Sequence, residues 1–241
     1  MLVVAMRLNN MLRFFCIVTA ILTVFVSPVR GQIFPAIAVE SVEIEDPVSY
    51  ALLIEEANEF MRAEYAVPLF LRAYSASTLL GEPGESFLLS PSLSFDGLLA
   101  NEAAFASDPR LKGLREQFAA VRALGSKTYL KAVRFDGTNT PGWLFNSLVQ
   151  VPEEELLLKL MGRWTDTLSE ADLELPKLNI FRVIAGDASF THLVSVNAVS
   201  SEHLAQLLDL IAAAGWPLDA SKQGKLEATI YRQTLYRELS Q

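Results

Sequence analysis

Four arginines stand on strand-like segments, and each could hold an anion. They are Arg72 in Phe70-Leu71-Arg72-Ala73-Tyr74, Arg134 in Lys131-Ala132-Val133-Arg134, Arg182 in Phe181-Arg182-Val183, and Arg232 in Ile230-Tyr231-Arg232-Gln233. A guanidinium presents a rigid fork of N–H donors that matches carboxylate or phosphate oxygens two at a time. By simple alternation Arg134 shares a strand face with Leu130 and Ala132, Arg182 with Leu178, Ile180 and Ile184, and Arg232 with Ala228 and Ile230. Arginines on such apolar faces either point inward to a small anionic ligand or protect sheet edges against wrong pairing.

Other side chains offer less chemistry. His192 alternates with Val194, Val196 and Ala198, which predicts a packed strand residue, whereas His203 falls in the first turn of a helix and is expected in solvent. Eleven positions separate them and no cysteine accompanies them, so no metal site is expected. Tyr74, Tyr129, Phe135, Trp143 and Phe145 would line an aromatic pocket if they converge, and are core otherwise. The candidate ligand-binding set is therefore Arg72, Arg134, Arg182, Arg232, Tyr74, Trp143 and His192, with no catalytic residue singled out. The chain has no G-x-S-x-G elbow, phosphate-binding G-x-x-x-x-G-K-[ST] loop, G-x-G-x-x-G turn or H-E-x-x-H helix, so hydrolase, nucleotide-binding and zinc-protease readings lose their usual support.

The elements that must position these residues are well marked. Asp46-Pro47 and Ser107-Asp108-Pro109 each combine an N-cap with proline at the first helical position, Pro152 precedes three glutamates, and Ser200-Ser201 caps a last helix. The predicted helices are 47–64, 95–105, 109–123, 152–168 and 201–214. Alternating or β-branched segments at 33–44, 67–75, 86–93, 128–135, 143–149, 178–185, 191–198 and 226–236 read as strands, separated by turn signals at 81–84, 136–142 and 186–187. A gapless echo at a spacing of 48 lies within 127–164 and 177–212, placing Arg134 on Arg182, Ser147 on Ser195 and Glu154 on Glu202. In order, the chain is βαββαβ twice: an α+β protein of two tandem ferredoxin-like units, 32–137 and 138–241, after a leader at 1–31. Alternation along 130–135 leaves both sheet faces apolar, so the two sheets are expected to face each other as a barrel within one chain.

Residues 1–31 carry Arg7 and Arg13 ahead of an apolar run at 14–26 and end in Val29-Arg30-Gly31, the pattern of a secretory signal peptide. Thirteen apolar residues fall short of a membrane span, which needs roughly 20. Removal of this segment takes away three arginines and Cys16, the only cysteine, and leaves 17 basic against 28 acidic residues. Nucleic acid and anionic membranes are poor partners for such a chain, and a periplasmic or secreted protein without disulfides is expected.

This element order resembles the dimeric α/β barrel superfamily, which includes small cofactor-free monooxygenases, the NIPSNAP proteins and the haem-binding chlorite dismutases. The resemblance implies that Arg134 and Arg182 meet at one seam between the units, and Arg72 and Arg232 at the other. The arginines and aromatics point to a small anionic or aromatic ligand, and for a catalytic protein the resemblance implies monooxygenase-like chemistry in which the protein positions substrate and excludes water. No cofactor is expected; haem would need His192 or His203 as its axial ligand. The alternative is a non-enzymatic periplasmic interaction or structural protein whose barrel is packed solid. A cavity with two or more inward arginines favours ligand binding, and a filled lumen favours the alternative. The exported chain is expected to begin at Gln32; N-terminal sequencing that finds residues 1–31 on the exported protein would show retention instead.

Overall fold

In the computed structural model the described residues are 35–76, 86–137, 143–170, 174–187, 189–214 and 229–239. The expected leader, the 81–84 turn, the 138–142 loop and the helix stop at 215–217 lie outside them. The elements run β1 (Ala36–Ile44), α1 (Pro47–Tyr65), β2 (Arg72–Ala76), β3 (Ser86–Ser92), α2 (Phe95–Ser107), a 3-10 turn (Pro109–Leu111) and α3 (Lys112–Val121). There follow β4 (Arg122–Phe135), β5 (Trp143–Gln150), α4 (Glu154–Glu170), β6 (Lys177–Ala185), β7 (His192–Ala198), α5 (Ser201–Ala214) and β8 (Thr229–Glu238). No helix among the described residues is long and apolar enough to cross a membrane.

Local chemistry explains the helix starts. The Asp46 carboxylate accepts from the N–H groups of Val48 and Ser49 at 3.1 Å, and Ser94 and Asp108 cap the next two starts in the same way. Buried residues then recur at helical spacing: Tyr50, Leu53, Ile54, Ala57 and Met61 on α1, and Leu157, Met161, Trp164 and Leu168 on α4. Those stripes cover the outer faces of two antiparallel sheets. Asn58 fixes α1 to the start of β2, accepting from Phe70 and Leu71 N–H at 2.7 and 2.8 Å and donating to the Leu71 carbonyl at 2.8 Å.

The eight strands close into an antiparallel barrel in the order β1-β3-β2-β8-β5-β7-β6-β4. Within it β4-β1-β3-β2 and β8-β5-β7-β6 are the two ferredoxin-like sheets, joined at β2–β8 and β4–β6, the two seams expected from the resemblance. Strands that would be edges in an isolated unit are thus paired, and edge protection does not account for their arginines. The β2–β8 seam is short, with three register pairs from Tyr74↔Glu238 to Ala76↔Tyr236. The bond from Leu239 N–H to the Ala73 carbonyl and a buried bidentate pair from Arg72 to Glu238, at 2.7 and 2.5 Å, extend it.

Two differences from the expected strands have identifiable causes. β2 begins at Arg72 rather than at 67, because the preceding segment is held against Asn58. β4 begins at Arg122, directly after α3, and pairs Arg122 to Leu124 with the end of β1. Its Gly125 lies at a bulge where the strands approach closely: a Cβ there would lie 2.2 Å from Ser41 Oγ, which would have to turn away. The echo matched element order rather than orientation, since Ser147 faces outward to Gln233 while Ser195 faces the lumen. Glu238→Gln is expected to destabilise the fold by about 3 kcal/mol, because it removes the carboxylate charge that the buried Arg72 guanidinium is forked on. A urea midpoint within error of the parent would show that the pair does not close the seam.

Candidate functional site

The structure disperses the arginines. Register shifts decide where each one lies, because one extra residue transfers the following side chains to the other face. A shift between Leu148 and Val149 against β8 leaves Ile230 with the outer helices and turns Arg232 to the lumen, opposite Leu148. Another between Ala132 and Arg134 takes Arg134 off the lumen face of Leu130 and Ala132, opposite Ile180, and it pairs with Asp136 at 2.9 Å. Arg182 lies on the outer face with Leu178 and Ile180, 3.6 Å from Glu154, and Arg72 is locked to Glu238.

The aromatic candidates do not converge. Tyr74 is buried on the lumen face, stacked on Phe87 at 4.9 Å without lining the cavity, whereas Trp143 packs with the outer helices beneath Arg237. His192 is buried on the outer face, with Nδ1 2.9 Å from Thr191 Oγ1 and Nε2 3.1 Å from Glu154 Oε2. His203, expected in solvent, is also buried: its Nδ1 accepts from Val199 N–H while Ser200 caps the His203 N–H, so the imidazole closes its own helix start. The lumen holds a cavity of about 200 Å³ and is neither solidly packed nor lined by two arginines, since Arg232 is the one that reaches it.

A wider cavity, about 510 Å³, lies outside the barrel between β1, β3, β4 and the helices α2 and α3. Its wall includes Phe70, Phe105 and Phe118, whose ring centroids follow one another at 5.0 and 6.2 Å. Lys127 and Glu40 are cross-strand partners at 3.3 Å, and Glu102 reaches from α2 to the same ammonium, also at 3.3 Å. Tyr129, two residues along that face, donates to the second Glu102 oxygen at 2.9 Å.

Two further cations line this cleft and are held by neutral oxygens. Arg122 donates to the Tyr50 hydroxyl at 2.8 Å and lies 4.6 Å over the Phe118 ring. Arg115 donates to the carbonyls of Phe105 and Asp108 at 2.8 and 2.9 Å. Three cations thus face the two carboxylates Glu40 and Glu102. Burial opposes the Lys127 charge, but the two carboxylates outweigh it and hold the ammonium above its ordinary range. Burial raises the Tyr129 hydroxyl, and the bond to Glu102 raises it further; burial likewise raises Tyr50 against the opposing Arg122 charge. Both hydroxyls are therefore protonated at neutral pH rather than phenolate bases, Tyr129 donating to Glu102 and Tyr50 accepting from Arg122. Of these residues only Tyr129 stood out in the sequence, as an aromatic candidate, although Lys127, Tyr129 and Lys131 alternate on one strand face. Glu102 belongs to a separate helix, and nothing local announces its reach.

No protein-family model and no curated protein matches this sequence. Solved structures match it by fold. A provisionally named monooxygenase from Fusobacterium nucleatum is 9% identical, with 87% of this chain and 94% of that one covered and a TM-score of 0.54. A second provisionally named monooxygenase, from Lactobacillus acidophilus, is 7% identical over 86% and 95% of the chains, with a TM-score of 0.53. Chlorite dismutase from Candidatus Nitrospira defluvii, solved in complex with imidazole, is 10% identical over 86% and 91%, with a TM-score of 0.52. These likenesses show the fold alone: an α/β barrel of two ferredoxin-like units.

They also correct one expectation. Chlorite dismutase is the haem-binding branch of the resemblance, so this fold gives no ground for expecting a cofactor-free protein. The described residues of this chain do not fit haem. His192 is engaged by Thr191 and Glu154, His203 by its own helix start, and neither lines the cleft or the lumen. Replacing Glu102 by Gln is expected to bring the Tyr129 titration part of the way back toward its ordinary value, with burial accounting for the remainder. Alkaline difference titration of tyrosinate absorbance reads the change; identical curves for parent and variant would place the hydroxyl outside the influence of Glu102.

Proposed function

We propose that this is an exported α/β-barrel protein that binds a small anionic aromatic molecule in the cleft between sheet and helices of its first unit. The observation that carries the reading is a 510 Å³ phenylalanine-lined cavity in which Arg115 and Arg122 are held by neutral oxygens. An anion arriving there gains charge-assisted hydrogen bonds without first displacing a carboxylate. The rings of Phe70, Phe105 and Phe118 supply apolar and edge-to-face contact for a planar body. The lumen, with a cavity but a single arginine, meets neither the expectation for an arginine-lined site nor that for a solidly packed interaction protein, and the outer cleft supports binding instead.

The names of the structural neighbours support oxygenation as the reaction class if the bound molecule is turned over. For that chemistry the cleft would orient the substrate against the aromatic wall and limit water. The protonated Tyr129, bonded to Glu102 beside the cleft, would hold that carboxylate in place against Lys127 and so fix the charge that the substrate meets. Isothermal titration of 2-naphthoate against the neutral 2-naphthalenemethanol tests the binding reading. The carboxylate is expected to bind about 10- to 100-fold more tightly, the effect of one or two hydrogen bonds to a charged group. The double variant Arg115→Gln/Arg122→Gln is expected to lose that preference while its far-ultraviolet circular dichroism is unchanged. Equal affinity for the two compounds in the parent protein would overturn the assignment.

A further inference from the structure

The lumen presents a chemical problem that the cleft does not solve. Among the described residues three buried side-chain polar atoms have no hydrogen-bond partner: Asn146 Oδ1, Thr234 Oγ1 and His203 Nε2. Two of the three line the same cavity. Asn146 on β5 and Thr234 on β8 are direct cross-strand partners, 8% and 2% exposed, and Ser195 on β7 flanks Asn146 on its other side. The row Ser195, Asn146, Thr234 therefore forms a polar band across three adjacent strands.

Apolar clusters stand on both sides of that band. One is built on Phe181, Phe190, Leu193 and Leu130, the other on Tyr74, Phe87, Leu144 and Tyr236, and Val39 and Leu89 pack against both. The polar residues at the other end, Ser41, Ser126 and Asp187, are exposed and mark where the lumen meets solvent. Gly186 shapes that mouth. Its φ of +111° and a would-be Cβ 2.5 Å from the Lys127 carbonyl both require glycine, and the next residue, Asp187, donates its N–H to Thr128 Oγ1.

Leaving two adjacent polar groups unpaired is costly, and native interiors do so rarely. Water alone is a poor remedy at the buried end. A cavity of 200 Å³ has room for about six waters at ~30 Å³ each, and every one needs two to four polar partners, which the Phe and Leu part of the wall does not supply, although Ser86, Thr128, Ser195 and Arg232 also line it. A single oxygen that both donates and accepts resolves the mismatch. Directly opposed side chains start about 5 Å apart, so one hydroxyl between them can donate to Asn146 and accept from Thr234. The space exceeds the roughly 150 Å³ that admits benzene in a dry cavity.

We propose that the barrel lumen is a second binding site, distinct from the outer cleft, for a small aromatic alcohol of the phenol class whose hydroxyl is held between Asn146 and Thr234. Phenol and benzene, titrated calorimetrically against the full chain, test it. Phenol is expected to bind about 10-fold more tightly than benzene, the effect of satisfying one buried polar pair. Asn146→Leu and Thr234→Val are each expected to abolish or reverse that preference, with folding checked by circular dichroism. Arg115→Gln/Arg122→Gln, which alters the cleft, is expected to leave it unchanged, so failure of the lumen site and failure of the cleft reading are distinguishable. Equal binding of phenol and benzene, or no binding of either, would overturn the proposal and leave the lumen to water. So would a preference that survives both lumen variants, or one lost in the cleft variant.

Discussion

Closure of the sheet is the constraint on which the rest of the structure depends, and the β2–β8 seam is its thinnest part. Three register pairs there join strands that are far apart in the chain, where the other seam has a longer run. Arg72 and Glu238 compensate by meeting as a fork on a carboxylate within the buried seam, with Tyr74 beside them. Such a pair contributes specificity as much as stability, because a slipped register would leave both charges buried and apart. An open pair of sheets would instead expose four strand edges and two apolar faces.

Once the barrel is closed, every strand serves two environments. Val39 and Glu40 are neighbours on β1, as are Lys127 and Thr128 on β4, yet Val39 and Thr128 face the lumen while Glu40 and Lys127 line the cleft. The same period of two that makes the core therefore makes two cavities of opposite character. The inner one is small and mainly apolar, banded by Ser195, Asn146 and Thr234, with Arg232 and Asp187 also in its wall. The outer one is larger, aromatic and biased toward positive charge within a chain whose formal net charge is -8. A local cationic bias in an acidic protein concentrates attraction at one place rather than over the whole surface.

Much of this was legible in the chain. Asp46-Pro47, Asp108-Pro109 and Ser200-Ser201 mark helix starts through their own side chains, and alternating residues mark the strands, so the order βαββαβ twice follows from local rules. The two seams follow as well once two such sheets must cover each other. The candidate residues fared differently because alternation was extended through places where it breaks. Arg134 and Arg232 each sit beside a register shift, and one extra residue exchanges lumen for outer face.

What the sequence determined by itself is therefore everything carried by nearest neighbours: caps, periodicity, element order and the need for a barrel. Tertiary structure alone decided which side of the sheet each functional group faces and which groups meet. Glu102 finds Lys127 and Tyr129 from a separate helix, and Asn146 meets Thr234 across 88 positions of chain. The physical reason is that a bulge is set by how two strands fit, as at Gly125 against Ser41, and a buried polar atom is unpaired only by virtue of what surrounds it. Neither property belongs to a residue; both belong to a packed interior.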